Sequence, residues 1–264
     1  MRKVLVIGIG PGDPDQVTVQ AIKGLNRTDV FFVMDKGTAK ADLVRLRLEI
    51  CERYLENRSY RFVEVEDPKR EDATTASYKA GVDAWHRRRA EIYERLIRDE
   101  LDEGMCGAFL VWGDPSLYDS TLRIVDQVLE RGTVAFDHEV IPGISSVQAL
   151  ATRHRIVLNR IGEPVHVTTG RRLAEDGLPR SVETGGSVVV MLDGEGAFRL
   201  FADRADLQIY WGANLGTADE ILISGRLCDV VDEIASARTR ARQARGWMMD
   251  VYCIWKGAAH DVSR

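Results

Sequence analysis

Two kinds of hydrophobic pattern alternate along the first half of the chain, short continuous apolar runs and longer segments with apolar residues three and four apart. Five short apolar runs predict strands, and the first is a continuous β-branched run of the kind found in parallel strands buried on both faces. The runs are KVLVIGI, DVFFVMD, YRFVEVE, GAFLVWG and HEVI. Between them, segments such as KADLVRLRLEICERYL have apolar residues three and four apart, which predicts helices. Strands that alternate with helices predict a doubly wound α/β domain with a parallel sheet.

One long charged segment stands between the third and fourth predicted strands. Its apolar residues lie at helical spacing and predict a single inserted helix over residues 77–104, packed on the sheet. They are Val82, Trp85, Ile92, Leu96 and Ile97. The basic run HRRR, residues 86–89, is interpreted as one solvated face of that helix. Nearer the N-terminus, Asp15 is expected to cap the helix that ends at Leu25.

The pattern changes near LNRIGEPVH. Beyond this point strands with shorter helices between them predict a second domain of α+β type. The strands are VHVTT, SVVVML, LQIYWG, EILISG and MMDVYCIW. We expect the boundary at Leu158 to Gly162, which gives an N-terminal domain of residues 1–158 and a C-terminal domain of residues 159–264.

Composition and charge narrow the functional classes. A chain of 264 residues with 45% hydrophobic residues can bury a sizeable core. Its 36 Lys and Arg against 41 Asp and Glu give a net charge of -5, which disfavours a nucleic-acid partner. No apolar run approaches the ~20 residues that span a bilayer, and no signal segment is visible, so we expect a cytoplasmic protein without a membrane partner.

The cysteines and histidines give no sign of a metal site. Four cysteines are far apart and form no C-x-x-C pair, which predicts buried thiols in a reducing compartment. No His, Cys or Asp cluster has the spacing of zinc ligands, so no metal is predicted.

A glycine-rich loop, GIGPGDPD, follows the first predicted strand. A dinucleotide-binding loop needs glycine at the third position of its fingerprint, where this chain has Asp13. Pro11 also removes a backbone N–H that could bind phosphate. The spacing therefore disfavours a nucleotide loop, and a turn without a ligand stays open.

Two further Gly/Pro loops follow the fourth and fifth strands. They begin at Gly113-Asp114-Pro115 and at Pro142-Gly143. Open α/β sheets bind ligands at the carboxyl ends of their strands, and all three loops belong to that edge. The order of the three loops predicts a ligand site there.

These loops carry a family resemblance. The segments GIGPGDPDQVT, WGDPSLYDST and VIPGISSVQA, with a VVML strand near residue 190, resemble the tetrapyrrole methylases, which use S-adenosylmethionine in corrin and siroheme synthesis. The resemblance implies two α/β domains with cofactor and substrate in the cleft between them, a tetrapyrrole substrate and a homodimer.

Three longer segments resemble one branch of that family. They are DAWHRRRAEIYERLI, RHRIVLNRIGEPVHVTTGRRL and IYWGANLGTADEILISG. This branch implies that the substrate is precorrin-5, which loses an acetyl group as acetate and is methylated at C-1.

The resemblance also implies a set of cofactor contacts. Glycines allow close backbone approach, and loop N–H groups with Ser hydroxyls can bind the polar groups of S-adenosylmethionine and of its product S-adenosylhomocysteine. The implied residues are Pro11, Gly113, Asp114, Leu117, Ser145, Ser146, Met191 and Gly225. Helix capping stays open as the alternative role of Ser145 and Ser146.

Catalytic residues follow from the same resemblance. Asp35 closes the second strand at the position of a catalytic aspartate in siroheme-pathway relatives, so we expect it to be the base that activates water. Tyr118 is a second catalytic candidate. The lysine that those relatives use as proton donor has no clear match here. Capping of the next helix is the alternative role of Asp35.

Basic side chains after the predicted domain boundary are candidates for binding a polycarboxylate substrate. Guanidinium forks suit carboxylates, which favours Arg171 and Arg172 together with His166. Asp119, like Tyr118 beside it, is a candidate for the cleft wall, and Asp13 is a further candidate for substrate binding. The alternative, that the two arginines are solvated surface charges, stays open.

Two other functional classes stay open. The same fold occurs in enzymes that methylate RNA ribose or a modified protein residue, and fold alone does not decide between them. A tetrapyrrole or cofactor sensor without turnover would keep the same loops.

Overall fold

The computed structural model describes residues 1–35, 41–56, 59–68 and 78–257, with the side chains of residues 35, 41–44, 78 and 79 excepted. The chain divides into two compact units, Met1–Ser145 and Ser146–Arg264. This division lies before the expected boundary at Leu158 to Gly162. The helix between the two positions, Ser146–His154, belongs to the second unit because it packs on the sheet of that unit. There the Nε2 atom of His154 lies 3.0 Å from the carbonyl oxygen of Trp211.

The first unit is built on five parallel strands in the order β3-β2-β4-β1-β5. Their bounds are β1 Arg2–Gly8, β2 Val30–Asp35, β3 Arg61–Glu66, β4 Cys106–Val111 and β5 Phe136–Ile141. All five were predicted from apolar runs. Strand β4 is buried along its whole length, which explains why its sequence shows no polar alternation.

Helices cover both faces of this sheet. On one face lie α1 (Val19–Leu25) and α2 (Ala41–Tyr54), whose buried residues pack with one side of β1, β2 and β4. On the other lie α3 (Tyr78–Glu100) and α4 (Thr121–Arg131), packed against the opposite side of the same strands. The predicted doubly wound α/β class is confirmed.

The ladder between β2 and β4 is short. It pairs residues 30–32 with residues 107–109, although β2 continues to Asp35 and β4 to Val111. Backbone groups near the carboxyl ends of these two strands therefore need other partners. The carbonyl of Leu110 accepts a hydrogen bond from Nε of Arg47 on α2, at 3.3 Å.

Helix α3 confirms the predicted inserted helix but corrects the interpretation of its basic run. His86 and Arg89 are buried, so a solvated HRRR face is wrong for these two residues. Nε of Arg89 lies 2.9 Å from a carboxylate oxygen of Asp67, itself buried, and the guanidinium lies 4.6 Å from the ring centroid of Trp85. A carboxylate and an aromatic face replace the water that the charge gives up.

The first helix also begins later than expected. Its N-cap is Thr18, whose hydroxyl accepts a hydrogen bond from the N–H of Ala21 at 3.0 Å, so the expectation for Asp15 is wrong. Asp15 belongs to a separate 3-10 turn, Pro14–Gln16, that precedes the helix.

The second unit contains a mixed sheet in the order β6-β7-β10-β8-β9, in which only β6 and β7 are parallel neighbours. The strands are β6 Val165–Thr169, β7 Ser187–Met191, β8 Leu207–Ala213, β9 Ile221–Arg226 and β10 Asp250–Lys256. The helices are α5 Ser146–His154, α6 Gly170–Asp176, α7 Arg180–Glu183 and α8 Leu227–Arg245. Across the described ranges, none of the helices combines the length and apolar character needed to cross a membrane.

A buried ion pair ties this second unit together. Arg238 on α8 contacts the carboxylate of Asp250 and donates to the carbonyl of Asp193 at 2.6 Å. The indole N–H of Trp211 donates to the same Asp250 carboxylate at 2.9 Å. Burial raises the pKa of Asp250 to about 6, although the Arg238 charge and the indole N–H oppose this shift.

Removal of the Arg238 charge should destabilise the protein in a pH-dependent way. We expect Arg238→Met to lower the unfolding free energy by about 3–5 kcal/mol at pH 8, because Asp250 is left as an uncompensated buried carboxylate. A raised pKa in the folded state means tighter proton binding there, so the deficit should shrink as pH falls from 8 to 5. Urea unfolding at both pH values measures it. The double variant Arg238→Met/Asp250→Asn should recover stability at pH 8; a deficit independent of pH and of Asp250 would refute this account.

Candidate active site

The three Gly/Pro loops lie side by side at the carboxyl edge of the first sheet. Strand β1 is flanked by β4 and β5, so the loops that follow these three strands leave the sheet next to one another. The first two also pair directly, since Gly113 N–H donates to the Gly10 carbonyl at 2.9 Å and Gly10 N–H donates back at 3.4 Å. The loops therefore form one continuous backbone surface.

Two glycines make this approach possible. A Cβ atom on Gly143 would lie 2.8 Å from the carbonyl carbon of Gly8 and closer still to the carbonyl oxygen of Gly113. A Cβ on Gly8 would lie 2.6 Å from the Gly143 nitrogen. Side chains are thus excluded at both positions, and the loops can pack backbone against backbone.

Asp114 joins the second loop to the third. Its carboxylate accepts hydrogen bonds from the N–H of Gly143 at 2.9 Å, from the N–H of Ser116 at 2.8 Å and from the Ser116 hydroxyl. Burial disfavours the charged carboxyl, but these donors together outweigh burial and hold the pKa of Asp114 below its ordinary value. Asp114 is therefore ionised at neutral pH and fixes the geometry of both loops.

The first loop is fixed by local hydrogen bonds. Asp13 is the N-cap of the 3-10 turn and accepts from the N–H of Asp15 at 2.9 Å. The hydroxyl of Tyr54 on α2 donates to the carbonyl of Pro14 at 3.0 Å, and Pro11 is buried. The structure thus gives Asp13 a capping role, and its contact with substrate stays a prediction.

The second loop contains a strained residue. Tyr118 has a φ of +52° and is 44% exposed. Residues other than glycine seldom adopt this conformation, which is concentrated at functional sites. Burial of part of the ring raises the pKa of Tyr118, so its phenol keeps its proton at neutral pH. On either side, Leu117 N–H donates to the Asp114 carbonyl at 3.2 Å and Asp119 accepts from Thr121 N–H at 2.6 Å.

The third loop brings Ser145 next to the second. A Cβ on Gly113 would lie 3.5 Å from the Cα of Ser145, which is buried. Ser146 is half-buried and is the first residue of α5. These positions fit both helix capping and contact with a ligand, so the two roles of the serines stay open.

In the second unit, the residue after Met191 is strained as well. Leu192 has a φ of +52° and is 64% exposed, although it follows a buried strand. The next residue, Asp193, is buried and accepts hydrogen bonds from Gly196 N–H, Ala197 N–H and the Tyr252 hydroxyl at 2.7–2.8 Å. The loop after Met191 is therefore held in one conformation that presents an apolar side chain, which sequence reasoning missed.

Gly225 does not lie next to Met191. In the sheet register Met191 is level with Gly212, through Val251, whereas Gly225 pairs with Ile209. The two are separated along the strands and by three steps across the sheet. Cofactor contact by Gly225 stays a prediction.

The basic candidates of the second unit are surface residues. His166 is exposed on β6, and Arg171 and Arg172 are exposed on the first turn of α6. The two arginines bond to Glu175 on the same helix, at 2.9 and 3.3 Å. Such pairs are typical of a solvated helix, and substrate binding by these three residues stays a prediction.

The remaining expectations concern Asp35 and metal ions. The backbone of Asp35 ends β2 opposite Glu66, and its side chain lies outside the described residues. Within the described ranges, no three His, Cys, Asp or Glu side chains are grouped as metal ligands.

Sequence reasoning missed two residues beside the second loop. Trp112 directly precedes Gly113, and the guanidinium of Arg47 lies 5.4 Å from the centroid of its ring. A signal was available, because Arg47 is three and four residues before Ile50 and Cys51, both fully buried on α2. A charge on the buried stripe of a helix is unusual.

Comparison with known proteins gives the same family over most of the chain. The sequence model of the Tetrapyrrole (Corrin/Porphyrin) Methylases matches residues 3–231. Over 261 residues the chain is 52% identical to a precorrin-6A synthase [deacetylating] from Sinorhizobium sp, which covers 99% of this chain and 98% of that protein.

Solved structures agree with this match. A putative cobalamin synthesis related protein (CobF) from Corynebacterium diphtheriae superposes with a TM-score of 0.83 at 36% identity, over 98% of this chain and 100% of that chain. The uroporphyrin-III C-methyltransferase from Thermus thermophilus, complexed with S-adenosyl homocysteine, has the same fold, with a TM-score of 0.55 at 18% identity over 96% of this chain and 97% of that one.

The glycine contacts predict a clear effect of one methyl group. Gly143→Ala should lower the unfolding free energy by about 1–3 kcal/mol or more, because the new Cβ meets backbone atoms that cannot move independently. Gly194→Ala is the matched control, since a Cβ there meets no atom within 4 Å. Urea unfolding of both variants measures the difference. Equal stability of the two would show that the loops separate at little cost.

Proposed function

Because the chain belongs to the tetrapyrrole (corrin/porphyrin) methylase family, we propose that this methyltransferase converts precorrin-5 to precorrin-6A with release of acetate. The observation that carries the proposal is 52% identity, from end to end, with a precorrin-6A synthase. The three loops that close on one another at the sheet edge support a cofactor site in the same chain.

We propose that the loops bind S-adenosylmethionine, which when bound supplies a methyl group on a positively charged sulfur. Backbone groups of the loops that Gly8 and Gly143 bring together would donate hydrogen bonds to its polar groups and accept hydrogen bonds from them. The ionised Asp114 keeps the loops in register. The other proposed cofactor contacts are Pro11, Gly113, Leu117, Ser145, Ser146, Met191 and Gly225. The complex of the Thermus thermophilus protein with S-adenosyl homocysteine supports this choice of cofactor.

The proposed reaction breaks one carbon–carbon bond and forms another. Water adds to the acetyl carbonyl, acetate leaves, and the electron pair stays on the ring carbon C-1, which then takes the methyl group. We propose that Asp35 removes a proton from the water. Tyr118, which is protonated at neutral pH, would donate a hydrogen bond to the acetyl oxygen. Pre-organised loops would hold the two carbons in line for transfer.

The direct test uses precorrin-5 and methyl-labelled S-adenosylmethionine with the purified protein. Mass spectrometry should show one labelled methyl gained and one acetyl lost, with one equivalent of acetate in solution. A methyl gained with the acetyl retained would indicate methylation at a different position of a precorrin. Absence of transfer despite cofactor binding would favour an RNA methyltransferase or a sensor. A homodimer and a cytoplasmic location stay predictions, which gel filtration and cell fractionation can test.

The proposed base predicts a selective loss of turnover. Asp35→Asn should lower kcat by about 10²–10⁴-fold, the usual worth of a general base, and leave the Kd of S-adenosylhomocysteine within about twofold. Asp137→Asn removes an exposed carboxylate at the start of β5 and serves as the control with unchanged kcat. Single-turnover kinetics and calorimetry measure the two quantities. Unchanged kcat in Asp35→Asn would leave the aspartate with a structural role only.

A further inference from the structure

An arginine stands in the opening between β2 and β4. The two strands stop pairing after Phe32 and Phe109, and Nε of Arg47 donates to the Leu110 carbonyl beyond that point. The guanidinium is therefore held at the carboxyl edge of the sheet, the edge at which open α/β sheets bind their ligands.

The second ligand loop begins at the same place. The guanidinium of Arg47 faces the ring of Trp112, the residue before Gly113, at 5.4 Å from the centroid. The aromatic face attracts the cation and restricts the directions it can take. Arg47 is thus positioned next to the loop for which a cofactor or substrate contact is proposed.

The surroundings keep this arginine charged and poorly hydrated. Burial is the largest influence on the pKa of Arg47 and, together with the charge of Arg89, it outweighs the opposing effects of Tyr93 and Asp119, so that the pKa falls to about 10. The guanidinium remains a cation at neutral pH, although the side chain is only half-buried overall. A cation in a weakly screened position attracts an anion more strongly than it would in water.

A second polar group, the indole N–H of Trp112, indicates that a ligand supplies a hydrogen-bond acceptor beside Arg47. The indole N–H of Trp112 is buried and has no hydrogen-bond acceptor among the residues that the structure describes. An unsatisfied buried donor costs about 1–3 kcal/mol, so an acceptor brought here by a ligand would be stabilised.

We propose that Arg47 binds a carboxylate side chain of the tetrapyrrole substrate and that Trp112 positions its guanidinium. The identity of the substrate rests on the proposed function. Arg171 and Arg172, the arginines favoured by sequence, lie on the first turn of α6, whereas Arg47 lies at the carboxyl edge of the first sheet, beside the second Gly/Pro loop. S-adenosylmethionine also has a carboxylate, so the experiment must separate the two ligands.

The test compares two ligands across matched variants. Fluorescence titration with uroporphyrin, a stable porphyrin with eight carboxylates, reports tetrapyrrole binding without turnover, and calorimetry reports the Kd of S-adenosylhomocysteine. Arg47→Met should raise the uroporphyrin Kd about 10- to 100-fold, the range of a charged hydrogen bond. Arg47→Lys, which keeps the charge without the fork, should have a smaller effect. The Kd of S-adenosylhomocysteine should stay within about twofold.

Control variants separate binding from folding. Arg98→Met removes an exposed guanidinium near the C-terminal end of α3 and should change neither Kd. Trp112→Phe keeps an aromatic face but loses the indole N–H, so it should weaken uroporphyrin binding by less than Trp112→Leu, which loses both and should resemble Arg47→Lys. Thermal unfolding checks each variant, and if Arg47→Met does not fold, the lysine variant decides the outcome. With precorrin-5, Arg47→Lys should raise KM and leave kcat within about threefold.

Three results would overturn the assignment. A raised Kd for S-adenosylhomocysteine in the Arg47 variants, with unchanged uroporphyrin binding, would assign Arg47 to the cofactor. Unchanged Kd values for both ligands would make it a structural residue. A wild type that binds no tetrapyrrole would remove the substrate class and this site with it. A wild type that binds uroporphyrin through Arg47 but releases no acetate from precorrin-5 would leave the site and refute only the proposed reaction.

Discussion

The close contact of Gly8, Gly113 and Gly143 is the constraint on which the first unit depends. A parallel sheet brings the ends of β4, β1 and β5 to one edge, but a side chain on Gly8 or Gly143 would keep the loops apart. Without Cβ atoms the backbones meet, and Asp114 accepts the N–H of Gly143. A surface of peptide groups results, and such a surface suits a ligand that must be oriented by hydrogen bonds.

In the second unit, buried charges and not glycine contacts fix the conformation of a loop. The loop after β7 is fixed because Asp193 accepts two backbone N–H groups and Arg238 donates to the Asp193 carbonyl. Buried ions are costly, and Asp250 compensates the arginine. The strained Leu192 is maintained by this network, since a residue with positive φ persists only when its surroundings hold it. The Gly/Pro loops of the first unit and the loop after β7 are therefore each fixed by local contacts.

The sequence predicted the elements better than their contacts. The ten strands in the described part of the chain were all predicted, because apolar runs and Gly/Pro punctuation are local signals. The burial of Arg89 could not be found in this way, because its partner Asp67 follows a different strand and meets it only in the folded chain. The level of Gly225 in the sheet likewise depends on strand order, which no local pattern contains. Asp15 was misassigned because Pro14 starts a separate turn before the helix.

Arginines on the buried faces of helices make different contacts in this molecule. Arg89 and Arg238 each contact a buried aspartate inside a layer, and their charges hold helices to strands. Arg47 reaches the end of a ladder that stops early, where it donates to a strand carbonyl and faces the ring of the residue before the second loop. A sheet that pairs along its full length would have no place for this side chain. The early end of the β2–β4 ladder thus links the packing of α2 to the proposed substrate contact at the sheet edge.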